Sequence, residues 1–182
     1  MATQGPNITG TGANDASVGT NAWSNPTNIT VNDDTFAAVT GTFDAGPDIL
    51  QNAVRIVKAD GSIGTTNKST GSALPSTVFS NITFGGPADL WGETWTATDI
   101  NDADFGAVFQ TIRTGSVTSN YLKGTNFGFS IPAGATIDGI QLDIRMRQLF
   151  ADSTTGTGNV AWFKITVTYT AAATTGFNIA LV

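Results

Sequence analysis

The sequence predicts an all-β chain, a two-sheet antiparallel, jelly-roll-like β-sandwich with extended N- and C-terminal arms. Three observations carry that expectation. Charged residues make up only 12 % of the 182 residues and apolar residues 40 %, with Gly, Thr, Asn and Ser filling much of the remainder, a balance that favours strands and turns. Apolar and polar side chains alternate in several short runs, the period of a half-buried strand. No segment sustains an apolar repeat near 3.6 residues, so helix content is expected to be very low.

The clearest strand lies within residues 137–146, where Ile140, Leu142, Ile144 and Met146 alternate with Gln141, Asp143 and Arg145. Phe127, Phe129 and Ile131 alternate with small or polar residues, as do Phe163, Ile165, Val167 and Tyr169. Weaker strand patterns follow Asn28 and cover 36–43, 52–58, 77–84 and 106–113. The total is about eight strands, a number typical of jelly rolls. Pro132 and Gly134 predict a tight turn joining antiparallel neighbours. Glycines 61, 64 and 71 mark one long loop and residues 152–158 another, both expected at the ends of the sandwich. The one helical signal is Thr98-Asp99-Ile100-Asn101, a polar cap before a single turn.

Three segments follow: an N-terminal arm over 1–21, the sandwich over 22–170, and an apolar tail over 171–182. The arm is rich in Gly, Thr and Asn with few apolar side chains, so it is expected to order only against a neighbour. The tail ends Gly176-Phe177-Asn178-Ile179-Ala180-Leu181-Val182, and that apolar surface needs a cover. Either it returns to its own sandwich or it docks on an adjacent subunit. The candidate interface residues are Asn7, Ile8, Phe177, Ile179, Leu181 and Val182.

Composition excludes much chemistry. The chain has no Cys and no His, which removes thiol nucleophiles, disulfides, Ser-His-Asp triads and the thiolate or imidazole ligands of zinc and copper sites. A net charge of −6 and a pI near 4.2 oppose binding to phosphate backbones, so no nucleic-acid partner is expected. No apolar run reaches the roughly 18 residues that a membrane span requires, so no membrane contact is expected. Residues 1–12 lack the basic and apolar regions of a secretory signal, which predicts a protein completed in the cytoplasm.

A set of phrases adds to this reading: Ala22-Trp23-Ser24-Asn25-Pro26-Thr27-Asn28-Ile29, Asp89-Leu90-Trp91-Gly92, Asp99-Ile100-Asn101, Phe105-Gly106, Tyr121-Leu122-Lys123, and residues 126–140 from Asn126-Phe127-Gly128-Phe129 to Gly139-Ile140. Together they resemble a β-sandwich domain of structural proteins from tailed bacteriophages and prophages, over most of residues 22–170. The resemblance implies a virion component without catalytic residues. Here the Asn-Phe-Gly-Phe block follows the Trp-Gly block, the reverse of the family's order, which implies a rearranged strand order.

Individual residues carry competing readings. Trp91 and Trp95 share a face if their segment is extended, and serve either as a plug between sheets or as an aromatic platform for a sugar ring. Trp23 is expected to anchor the start of the body. Glu93, the only Glu, would need Asp89 or Asp99 as partner in a paired-carboxylate hydrolase, but the spacing marks no such pair. Asp33 with Asp34, Asp44 with Asp48, and Asp99 with Asp102 and Asp104 offer oxygens to a structural calcium, although none has EF-hand spacing and turn chemistry accounts for them. No cofactor is expected. Four formal glycosylation acceptors, at Asn7, Asn28, Asn67 and Asn81, are coincidences of a Thr- and Asn-rich chain. Arg145 and Arg147 are expected in solvent, paired with local aspartates, or against an anionic neighbour.

The functional expectation is a non-enzymatic capsid decoration or cement protein, assembled into the virion in the host cytoplasm. Its partners would be the capsid protein and copies of itself, in an oligomer such as a trimer. The alternative is a tail-fibre, adhesin or other carbohydrate-binding sandwich that recognises a cell-surface glycan through Trp91 and Trp95.

Overall fold

The computed structural model describes residues 1–42, 48–113, 117–150 and 155–173. Alternation on residues 136–150 and 155–170 builds the two longest strands, β8 (Thr136–Phe150) and β9 (Thr155–Thr170), an antiparallel pair running from Thr136 opposite Thr170 to Phe150 opposite Gly156, with register shifts between Ile137 and Gly139 and between Arg145 and Met146. On their inner face Ile140, Leu142, Ile144, Phe163, Ile165 and Val167 are fully buried. Each contributes about 1.5–3 kcal/mol of burial energy.

The remaining strands attach to this pair or form the opposite sheet. β1 (Ala2–Ile8) and β3 (Ala37–Thr42) share the far edge of β9, β1 along residues 164–169 and β3 along 155–160. β5 (Ser80–Gly85) closes the other side against β8. The second sheet has the order β2 (Thr11–Asp15), β7 (Tyr121–Thr125), β6 (Gly106–Arg113), β4 (Ile49–Val57). Val54, Ile56, Ala107, Phe109 and Leu122 from this sheet meet the residues of the first in one core cluster. A smaller cluster of Ala53, Val57, Val108 and Tyr121 lies apart, with Val18 and Ile63 packed on it. The architecture is therefore an all-β sandwich of two antiparallel sheets.

Several sequence expectations change. Residues 2–15 are not an arm awaiting a neighbour: β1 and β2 are paired within the chain, because backbone N–H and C=O groups complete ladders with β9 and β7 whatever the side chains. The stretch after Asn28 is not a strand; Pro26–Thr30 forms a 3₁₀ turn entered through Asn25 in the left-handed conformation, and it buries Ile29. Phe127, Phe129 and Ile131 are buried but lie on an irregular connection that crosses from β7 in one sheet to β8 in the other. The Pro132–Gly134 turn, closed by the Ala135 amide on the Pro132 carbonyl, thus joins different sheets.

The 58–74 loop is not at an end of the sandwich. It folds back along β4, with Gly64, Lys68 and Leu74 amides donating to the carbonyls of Ile56, Val54 and Ile49. Residues 155–158, expected in a loop, begin β9. The single helical turn is present as α1 (Ala97–Asn101), where Thr96 and Asp99 cap one another reciprocally.

Phe163 has no exposed surface and joins the core from the central strand. Phe163→Ala is expected to destabilise the protein by about 3–5 kcal/mol in urea titration.

Candidate functional site

The segment 89–95 is built around Trp91. Asp89 sets the turn by accepting the Trp91 amide on Oδ1 (2.9 Å). Trp91 takes φ 57° and Gly92 φ 73°, so the chain reverses instead of extending. The Trp91 indole turns inward, is 1 % exposed, and donates Nε1–H to the Ile140 carbonyl at 2.9 Å. Gly85 makes room for it: a Cβ there would stand 2.6 Å from Trp91 Nε1 and 2.4 Å from Ile140 O. Lys68 lies over the ring at 5.2 Å and binds Asp89 Oδ2 at 2.7 Å, linking the 58–74 loop to the turn after β5.

Trp91 is consequently no part of an exposed platform. The expectation of a shared face assumed an extended segment, and the left-handed residue removes it. Trp95 is only half-buried. Its edge packs on Phe105 at 5.5 Å between centroids, and its Nε1–H is held by the Leu90 carbonyl at 3.0 Å.

The indole of Trp95 lines a surface groove of about 260 Å³ together with Lys58, Ala59, Asp60, Thr94 and Asp99. Asp60 spends Oδ1 on Ser62, and Asp99 spends Oδ2 on Thr96. Hydrogen bonds from Ser62 hold the Asp60 carboxyl below its ordinary pKa. The residues around the groove thus include an indole, an ammonium group, two carboxylates and a hydroxyl. That is suitable chemistry for stacking a sugar ring and binding its hydroxyls. Lys58 and Asp60 are remote in sequence from Trp95, so no local motif announced them.

The other candidates are dispersed. Of Asp89, Glu93 and Asp99, only Asp99 lines the groove. Asp89 is committed to Lys68, and the Glu93 carboxylate lies against Gly64. Among the described residues no three acidic side chains gather as a metal-holding group. Asp33 accepts from Thr35, Asp102 from the Asp104 amide, and Asp48 from Gln148, while Asp44 lies outside the described residues. Trp23 is buried as an anchor, its Nε1–H on the Asn120 carbonyl and its ring 6.1 Å from Phe109.

Asn7 and Ile8, proposed from sequence for an interface, belong to β1. Asn7 donates to the Phe127 carbonyl at 2.9 Å, and Ile8 faces Lys164 across the ladder. Phe177, Ile179, Leu181 and Val182 lie outside the described residues. Among the described residues, Arg145 and Arg147 form no ion pair with an aspartate and lie instead over aromatic rings. Arg147 stacks over Phe79 (4.2 Å) and Phe36 (5.4 Å), and Arg145 lies 5.7 Å from Phe79. Beside them Asn32, Asp33, Asp34, Phe79, Arg145 and Ala161 line a second groove of about 400 Å³. The alternation on β8 placed both arginines on the outer face, but it could not reveal their aromatic partners on other segments.

Asp89 gives a pH signature. Partial burial works to raise its pKa, but the hydrogen bonds from Lys68 and the Trp91 amide, with the Lys68 charge, outweigh it and leave the carboxyl below 3.8. The unfolded chain therefore takes up this proton at higher pH than the folded chain. The stabilisation is complete above the unfolded value and is lost as pH falls through the folded one. Asp89→Asn is expected to lower the urea midpoint at about pH 6, with the gap to the parent narrowing toward about pH 2.5. Acrylamide should quench Trp91 fluorescence far less than Trp95 fluorescence, as measured in variants in which the other three of the four tryptophans are replaced by phenylalanine.

Searches against protein-family models, curated proteins and solved structures gave no match to the chain, so the grooves and the fold stand on their own geometry.

Proposed function

We propose that the chain is a non-enzymatic structural protein of a bacteriophage virion, a decoration or cement protein that binds the outer capsid shell and ties neighbouring subunits together. The observation that carries this reading is the common origin of the two ends. β1 begins where β9 finishes, with Ala2 directly opposite Tyr169, so both ends of the sparsely charged sandwich lie at one pole, and in sequence the apolar Phe177, Ile179, Leu181 and Val182 come after β9. An apolar sequence that continues from the last strand suits attachment to a shell, where covering it would recover burial energy. The phrases of residues 22–140 that resemble phage structural domains support the same reading. Its partners are the capsid protein and copies of itself, and its place is the virion, assembled in the host cytoplasm.

The Trp95 groove favours a second reading, a tail-fibre or adhesin module that binds a cell-surface glycan. Its aromatic wall flanked by Lys58, Asp60 and Asp99 is the feature that supports it.

Deletion of residues 174–182 is expected to leave the unfolding midpoint of the sandwich unchanged and to abolish co-sedimentation with phage particles. Unchanged occupancy on particles would sink the decoration reading. In the second reading, Trp95→Ala combined with Asp60→Asn removes binding to host surface polysaccharide while the protein stays folded, as read by isothermal titration calorimetry and circular dichroism.

A further inference from the structure

The edges of the two sheets are treated unequally. β4 is covered along its length by the returning 58–74 loop. β3 exchanges two backbone hydrogen bonds with Ser24 through Ala38. β2 is pressed by the 3₁₀ turn, with the Pro26 carbonyl oxygen 2.1 Å from where a Gly12 Cβ would stand. β1 is interrupted by Pro6, which has no N–H to offer, and by a register shift between Gln4 and Asn7. Such devices keep sheet edges from pairing with other chains.

β5 has none of them. Among the described residues it pairs with β8 alone. Over Ser80–Gly85 it carries no proline and no charge, Asn81 and Thr83 are exposed, and Val78 just before it is 69 % exposed.

We propose that the free edge of β5 is an interface for β5 of a second copy, the two strands pairing antiparallel across a two-fold axis so that the two sheets continue as one. An antiparallel edge is its own complement, as a contact between identical surfaces requires. The flanking charges agree. On β8, Arg145 stands opposite Asn81 and Asp143 opposite Thr83. With the axis at Ile82, Asn81 of one copy meets Thr83 of the other, and each row across the joint reads Arg145, Asn81, Thr83, Asp143. Unlike charges therefore bracket both rows. Ile82, half-buried and packed on the core, sits beside its own copy. The joint deepens the self-association in the proposed function and rests on it. It closes at two copies, so the trimer expected from sequence would need other surfaces.

Sedimentation velocity of the full chain, from about 1 μM to about 500 μM, is expected to show a species of twice the 18.8 kDa monomer mass. N81K/T83K sets lysine against lysine in both rows and should weaken the dimer about tenfold or more. N81E/T83K shares the Thr83 change but sets unlike charges opposite one another, and should restore pairing. Circular dichroism melts establish that both variants fold. A monomer at every concentration overturns the proposal, as does a dimer indifferent to N81K/T83K. Binding of a synthetic peptide of residues 174–182, lost in N81K/T83K, assigns the edge to the tail and also overturns it. No particle is present in these measurements, so capsid attachment and dimerisation stand or fall separately.

Discussion

β9 is paired on both sides along nearly its whole length, and that requirement organises the molecule. A strand of 16 residues in the middle of a sheet needs a partner for each buried backbone donor and acceptor, since an orphaned group in the interior costs about 1–3 kcal/mol. β8 supplies one side. No single strand supplies the other, which is divided between β1 and β3, and in the interval between them the Thr9 amide reaches the Phe163 carbonyl at 3.2 Å. The chain therefore brings two segments that are distant from β9 in sequence to its outer side, and the connection between them must pass across the gap. The 3₁₀ turn with its buried Ile29 occupies that passage, and it packs on β2, β3, β7 and β9 together.

The second organising element lies on the opposite side of the sandwich. There the loop from β4 and the turn after β5 meet over Trp91, with Lys68 spanning the two by its ion pair to Asp89 and its ammonium over the indole. A half-exposed ion pair contributes little by itself. The indole beneath it contributes more, because it fills the space left by Gly85 and its Nε1–H gives the Ile140 carbonyl a second hydrogen bond beside that from the Gly86 amide. The left-handed backbone at Trp91 costs about 1–2 kcal/mol and is offset by this burial. In a chain without disulfides and with few charges, aromatic residues at the sheet margins take much of the role of cross-links.

Legibility in the sequence follows from where the information resides. β8 and β9 were readable because one face is apolar and the other polar, so period two appears in the residues themselves. β1 and β2 were not. Their Gly, Thr, Asn and Gln side chains carry little periodic signal, and their strand character comes from the ladders that β9 and β7 offer. Phe127, Phe129 and Ile131 misled in the opposite sense: they alternate because an irregular connection pushes every second side chain into the core, with no ladder beside it. At the candidate groove, Trp95 was visible as an aromatic residue beside turn formers. Lys58 and Asp60 were not, since tertiary folding alone brings them there. Trp91 was misplaced because one backbone angle, which side-chain type does not foretell, reverses the segment.

The pairing of Ala2 with Tyr169 has a topological consequence. Paired residues across an antiparallel ladder have Cα atoms about 4.5–5.5 Å apart, so a bridge of a few residues would close this sandwich into a ring. A ring has no privileged first strand. It could be opened at any exposed turn with the same two sheets and core intact, as circular permutation requires. Sequences that present these strands in a different linear order can therefore encode the same arrangement of pairs, and kinship among such sandwiches is better sought in strand adjacency than in the order of motifs along the chain.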